Sequence, residues 1–254
     1  MLEIVSLPVL TDNYIHILHD PASLETAAVD PALAPPVLEF LERKGWRLTA
    51  IFNTHHHWDH VNGNLELKQQ TGCTIIGGYE DRDRIPGIDR AVREGDTVSL
   101  GRHRAGILFT PGHTRGHIVY HFAEDRLLFC GDTLFAMGCG RLFEGTAEQM
   151  WHSLQKLKVL PGDTRIYCTH EYTQANGRFA LTVEPENPAL QRRMEEVERL
   201  RRQNRPTVPT TVAEELATNP FFREDSPELQ KHVGMSRRPP MDVFAETRRL
   251  KDRF

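Results

Sequence analysis

Through the first two-thirds of the chain, apolar residues come in short runs separated by polar loops. The runs Ile4 to Leu7, Tyr14 to Leu18 and Ala27 to Val29 predict strands, with turn chemistry at Asp12-Asn13 and Asp20-Pro21 between them. Pro36 to Lys44 carries apolar residues at positions 37, 38, 40 and 41 and stops at Gly45, which predicts an amphipathic helix. Leu48 to Phe52 reads as a buried strand running into a polar loop. A helix over Leu65 to Gln70 follows, then strands at Cys73 to Ile76, Gly106 to Phe109, His117 to Phe122, Leu127 to Cys130 and Arg165 to Cys168. Thr146 followed by Gln149 predicts a capping box that opens a helix ending at Lys158.

Beyond about residue 171 the pattern loses its strands. Asn187 to Asn204 is a charged helix with Glu195/Arg199 and Glu198/Arg202 pairs four residues apart. Helices over Val212 to Ala217, Asp225 to His232 and Met241 to Arg253 follow, with prolines punctuating the gaps. The expectation is an α/β domain over residues 1–170 and a helical domain over 171–254, with no internal repeat.

The 254 residues, 39% hydrophobic and 26% charged, suffice for a core without disulfide staples. Thirty-one basic against 35 acidic side chains give a net charge of −4, which excludes a surface built as a whole for nucleic acid. The basic stretch 237–253 holds one aromatic residue, Phe244, and no interleaved series of them, so no nucleic-acid partner is expected. No run of 18 apolar residues occurs, and the N-terminus lacks the basic region of a secretion signal. Cys73, Cys130, Cys139 and Cys168 are widely spaced, with no C-x-x-C. Structural, reduced cysteines in a cytoplasmic protein are the expectation, with no membrane association.

Thirteen histidines change the picture, because of where they fall. The densest segment is Thr54-His55-His56-His57-Trp58-Asp59-His60, directly after the Leu48 to Phe52 strand. In extended chain, alternate side chains share a face, so His55 and His57 converge while His56 points away. Asp59 and His60 come round the turn, and the set suits two adjacent divalent metals. Three more candidates follow strands: His113 after Gly106 to Phe109, Asp132 after Leu127 to Cys130, and His170 after Arg165 to Cys168. Strand ends are where α/β folds gather their sites. Trp58 reads as a packing residue, and His56 and His103 as surface or supporting positions.

The order H-x-H-x-D-H, Thr110-Pro-Gly-His-Thr, Gly131-Asp132 and a late histidine resembles the metallo-β-lactamase superfamily. Asp12-Asn13-Tyr14, Asp30, the stretch Cys130 to Phe135, Gly138-Cys139-Gly140, Phe143 to Thr146 and His170 to Thr173 extend the likeness. With Asn219-Pro220-Phe221 and the tail Arg248 to Phe254, they resemble the glyoxalase II family, and the likeness runs over essentially the whole chain.

The resemblance implies a four-layer αβ/βα sandwich with a C-terminal α-helical domain. It assigns His55, His57 and His113 to one metal and Asp59, His60 and His170 to a second, with Asp132 bridging. Two zinc ions are expected, with iron or manganese as alternatives that a mixed N/O donor set also accommodates. The implied reaction is hydrolysis of S-(2-hydroxyacyl)glutathione by a hydroxide held between the metals, oriented by Asp59 and Asp132. Arg141, Phe143, Tyr172, Arg248 and Lys251 are implied to line the glutathione groove, cations meeting carboxylates. Arg141 stands where many members have lysine and Phe143 where many have tyrosine. The expected partner is the small-molecule thioester alone, bound by a monomer. Rival readings are a persulfide dioxygenase or another hydrolase of the superfamily.

Overall fold

The computed structural model describes residues 1–254, which divide into two compact units: residues 1–109 with 115–131, and residues 110–114 with 132–254.

In the first unit, β1 (Glu3–Val9), β2 (Asn13–Asp20), β3 (Glu25–Val29), β4 (Arg47–Phe52), β5 (Thr74–Gly78) and β6 (Arg90–Val92) form a sheet in that spatial order. The β1–β2 and β2–β3 pairs are antiparallel, and β3 through β6 run parallel. Helix α1 (Ala34–Lys44) and α3 (Asn64–Thr71) bury Val37, Leu41 and Leu67 in one core with Ile15, Ile17, Ala28, Ile51 and Ile75. All eight residues of β2 are buried, as expected of a strand covered on both faces. A one-turn helix α2 (Trp58–Val61) interrupts the loop after β4. The second sheet of this unit is an antiparallel meander of β7 (Thr97–Leu100), β8 (His103–Phe109), β9 (Ile118–Phe122) and β10 (Leu127–Gly131).

In the second unit, β11 (Leu134–Phe135) and β12 (Gly138–Cys139) form a minimal hairpin. Helix α4 (Ala147–Lys158) opens with both reciprocal bonds of the capping box between Thr146 and Gln149, as the sequence predicts. Strand β13 (Arg165–Cys168) precedes α5 (Thr173–Val183), α6 (Pro188–Arg202), β14 (Thr210–Thr211), α7 (Val212–Thr218), α8 (Pro227–His232) and α9 (Pro240–Lys251). Met137, Ala180, Leu190, Met194 and Val197 form the core between α5 and α6.

Every expected strand and helix is present, within a few residues at the ends. Seven strands or α-helices of the fold lie outside the hydrophobic pattern: α2, α5, β6, β7, the two strands of the β11–β12 hairpin and β14. The region beyond residue 171 is not strand-free, because β14 pairs antiparallel with β13. Two residues are too few to carry an alternation.

Candidate active site

The first unit assembles the H-x-H-x-D-H segment through one carboxylate. Strands β3 and β4 are parallel and in register at Val29 and Phe52, so the residues that leave them, Asp30 and Asn53-Thr54, emerge side by side. Asp30, at φ 49°, is fully engaged. Its oxygens accept from the Thr54 amide (2.8 Å), the Thr54 hydroxyl (2.7 Å) and His60 Nδ1 (3.1 Å). The Thr54 hydroxyl in turn lies 3.1 Å from His55 Nδ1. It already donates to Asp30, so it accepts from that ring nitrogen.

This chain fixes two tautomers at once. Protonated Nδ1 atoms turn Nε2 of His55 and of His60 into lone-pair donors, the form a metal requires. His55 Nε2 lies 3.0 Å from His57 Nδ1, so the two rings converge as the alternation rule anticipates. Asp59 Oδ2 is 3.6 Å from His60 Nε2 and is steadied by Asn13 Nδ2 at 3.1 Å. Asp30, His55 and His60 together form one buried cluster able to hold an ion. His117 stacks on His55 with centroids 4.8 Å apart.

His56 turns the other way, to Asp81 at 2.9 Å. Burial acts to raise the Asp81 carboxyl, but hydrogen bonds from His56 and Arg84 outweigh it and hold its pKa below the ordinary value. Trp58, expected to pack, is 66% exposed. As the first residue of a one-turn helix it has no layer to pack under.

In the second unit, His113 donates from Nδ1 to the Arg141 carbonyl at 2.9 Å, which directs Nε2 to Asp132 Oδ2 at 3.4 Å. His170 Nε2 lies 3.5 Å from the same oxygen. One carboxylate oxygen thus stands between two imidazoles. Phe143 meets the His113 ring edge-on at 5.2 Å and is 63% exposed. Tyr172 stacks flat on His170 at 4.7 Å.

The expected cations are less alike than their sequence suggests. Arg141 is exposed. Lys251 is half-buried between the Phe179 and Phe254 rings, and burial first, then the Arg248 and Arg141 guanidiniums, lower its pKa. Arg248 is 3% exposed. It donates to the Cys139 carbonyl at 2.9 Å, pairs with Asp252 at 2.8 Å and lies over the Phe221 ring. All four cysteines are buried and none is in a disulfide, and burial pushes the Cys139 thiol up to about 11.

The donors are therefore imidazole nitrogens and carboxylate oxygens without thiolate, a set that fits divalent zinc, iron or manganese. Asp30, Thr54, Asn13 and Asp81 are the supporting residues that motif reading left without a role. Asp30 could have been suspected from its place at a strand end, but its partners depend on parallel pairing that no local pattern encodes.

Residues 16–170 match the family described as the Metallo-beta-lactamase superfamily, which defines the class of the fold. Residues 171–254 match the family Hydroxyacylglutathione hydrolase C-terminus. The chain is 59% identical over its whole length to a hydroxyacylglutathione hydrolase of Methylococcus capsulatus, covering 99% of that protein. It is 54% identical to the one from Rhodospirillum rubrum, over 100% of this chain and 99% of that one. The crystal structure of ETHE1 from Myxococcus xanthus superposes with a TM-score of 0.68 at 25% identity, over 97% of this chain and 98% of that one. The fold is accordingly the α/β metallo-β-lactamase fold with a helical C-terminal region. The chain belongs to the hydroxyacylglutathione hydrolase family.

Proposed function

We propose that this chain holds two divalent ions, one through His55, His57 and His113 and one through Asp59, His60 and His170, with Asp132 bridging. It hydrolyses the thioester of S-(2-hydroxyacyl)glutathione to glutathione and a 2-hydroxy acid. The typical substrate is S-D-lactoylglutathione, giving D-lactate in the second step of methylglyoxal detoxification. The observation that carries the reading is the single Asp132 oxygen at 3.4 and 3.5 Å from two imidazoles whose nitrogens point at it.

When bound, the ions make a water acidic enough to act as nucleophile near neutral pH. Asp59 and Asp132 orient that water toward the carbonyl carbon. Asn13 keeps Asp59 from swinging away. Water's oxygen bonds to the carbonyl carbon, the C–S bond breaks, and the departing glutathione thiolate takes up a proton. A thiolate leaves readily, so no serine or cysteine nucleophile is required.

Phe143 and Tyr172, packed against His113 and His170, offer aromatic walls to the substrate. Arg141, Arg248 and Lys251 attract the glutathione carboxylates; burial first, then the Arg248 and Arg141 guanidiniums, depress the Lys251 pKa, and an anion relieves the second of these. Residues 1–170 form the catalytic domain in this reading, and 171–254 contribute to substrate binding. Zinc is the proposed metal, the acting species a cytoplasmic monomer. No helix is long and apolar enough to cross a membrane.

The test is hydrolysis of S-D-lactoylglutathione, followed by loss of thioester absorbance beside a chelator-treated sample. Turnover abolished by the chelator and restored by zinc, iron or manganese is the expected result. Metal-loaded protein without thioesterase activity, but with oxygen uptake on glutathione persulfide, would replace this reading with the dioxygenase one.

A further inference from the structure

Between Asp132 and Arg141 the chain makes the β11–β12 hairpin, with only two residue pairs and Met137 at φ 55° in its turn. So short a hairpin does not hold its own shape in water. Side chains from the C-terminal region take over its backbone. Asn219 Nδ2 donates to the carbonyls of Phe135 (3.2 Å) and Gly138 (3.0 Å). Asn176 Nδ2 donates to the Ala136 carbonyl at 3.2 Å, and Glu215 Oε2 accepts from the Met137 amide at 2.8 Å. Arg248 completes the series at the Cys139 carbonyl. Four side chains, each at most 5% exposed, bind five consecutive residues. Asn219 also donates to Glu215 Oε2 at 2.8 Å, which ties the set together.

Burying this many polar groups is costly unless their bonds are made, so their convergence on one hairpin fixes its geometry. The hairpin leads directly into Arg141. Gly140 donates to the Thr133 carbonyl at 3.3 Å, and the Arg141 carbonyl receives His113 Nδ1.

We propose that Glu215, Asn219 and Asn176 are positioning residues for the thioester reaction, holding the Phe135–Cys139 hairpin, and through it Arg141, in the conformation that receives the anionic end of the substrate. The proposal rests on the functional reading above.

The Thr210 hydroxyl shares its proton between Glu215 Oε1 at 2.7 Å and Glu214 Oε2 at 2.8 Å. Glu215 Oε2 meanwhile accepts from the Met137 amide and from Asn219. Burial pushes the Glu215 pKa up to about 7 against the hydrogen bonds from Thr210, Met137 and Asn219, which act to lower it, and the Glu214 charge adds to the rise. The other groups facing this pair are Arg193, 3.2 Å from Glu214, and the buried thiol of Cys168. Glu215→Gln keeps an acceptor oxygen for the Met137 amide and Asn219 and turns its amide to Thr210, whose hydroxyl still has Glu214 to donate to; Glu215→Ala removes both.

The experiment compares zinc-loaded Glu215→Ala, Asn219→Ala and Asn176→Ala with Glu215→Gln. It measures KM and kcat for S-D-lactoylglutathione, calorimetric binding of glutathione, zinc content, and amide exchange over residues 134–140. The alanine variants are expected to raise KM and weaken glutathione binding about tenfold or more, since each removes at least one buried hydrogen bond. Their kcat and zinc content stay within about twofold of wild type, a split that marks lost binding rather than lost chemistry. Glu215→Gln returns KM and exchange to wild-type values. A fall in kcat at unchanged KM, or a glutamine variant as impaired as the alanine one, would overturn the proposal. Should Glu215→Ala fail to fold, Asn176→Ala, which removes a single bond to the hairpin, carries the same comparison. If wild-type protein proves inactive on the thioester, the functional reading fails. The clamp is then judged by exchange alone, and wild-type hairpin amides as fast as an exposed loop would sink it.

Discussion

Asp30 shows how one carboxylate organises a site it need not enter. Its three bonds set the tautomers of His55 and His60 and hold Thr54 between them. Asp30→Ala is expected to leave the fold intact and to weaken metal affinity by about 10- to 100-fold, the usual effect of removing a ligand's hydrogen-bond partner. Competition with a chromophoric chelator measures it, and unchanged affinity would mean that Asp30 serves folding alone. Gly131, at φ 48°, makes a different demand. A Cβ there would lie 2.2 Å from Thr54 Oγ1 and 2.9 Å from His117 Nε2. Gly131→Ala combines a left-handed backbone with this collision, and is expected to cost upward of about 1–2 kcal/mol in urea unfolding.

Glu215 links pH to stability with a definite sign. Its folded pKa, about 7, lies above the ordinary value of 4.5 because the side chain is buried. The folded state therefore holds the proton more tightly than the unfolded one. Its stabilising contribution is complete below about pH 4.5 and is lost as pH rises through about 7. Glu215→Gln removes that titration, so the variant's stability is expected to fall less than wild type's between pH 5 and 8. Parallel pH profiles in denaturant titrations would refute this origin.

At the scale of elements, legibility followed from whether an element carries its own start signal. Helix α4 was readable from Thr146 and Gln149, and both cap bonds form. Thr146→Ala is expected to cost about 1 kcal/mol of stability, read as a lowered urea midpoint. Helix α6 was readable from Asn187, whose side chain caps the first turn, with Pro188 behind it. Helix α5 gave no such sign. Tyr172 offers no side-chain cap, and Gly177 sits mid-helix where local propensity disfavours it. The reason lies in packing: a Cβ at Gly177 would stand 2.0 Å from Met194 Sδ of α6. Close approach of two helices selects the glycine, and only the packed pair reveals it. The β11–β12 hairpin was equally silent, since side chains distant in sequence supply the bonds its strands cannot.

For the whole molecule, the proposed ligands run from position 55 to position 170. Binding two ions to them closes long stretches of chain and adds binding free energy to folding free energy. Removal of metal is expected to lower the thermal midpoint by several degrees or more, with recovery on adding zinc back. An identical midpoint for apo and loaded protein would contradict the assignment of these residues as ligands.

The sequence alone determined which residue types recur at strand ends, the alternation that pairs His55 with His57, and the change from mixed to helical texture near residue 171. These are local properties, set by periodicity, turn chemistry and caps within a few residues. Tertiary structure decided what periodicity cannot carry. Parallel pairing of β3 with β4 delivered Asp30 to Thr54 and His60. Burial gave Arg248 a hydrogen bond to the Cys139 carbonyl that its place in the chain does not announce. Glu215, an ordinary acid in a short helix by sequence, became a buried carboxyl holding a hairpin. Hydrogen-bond partners and desolvation depend on the whole fold, and no window of the chain contains them.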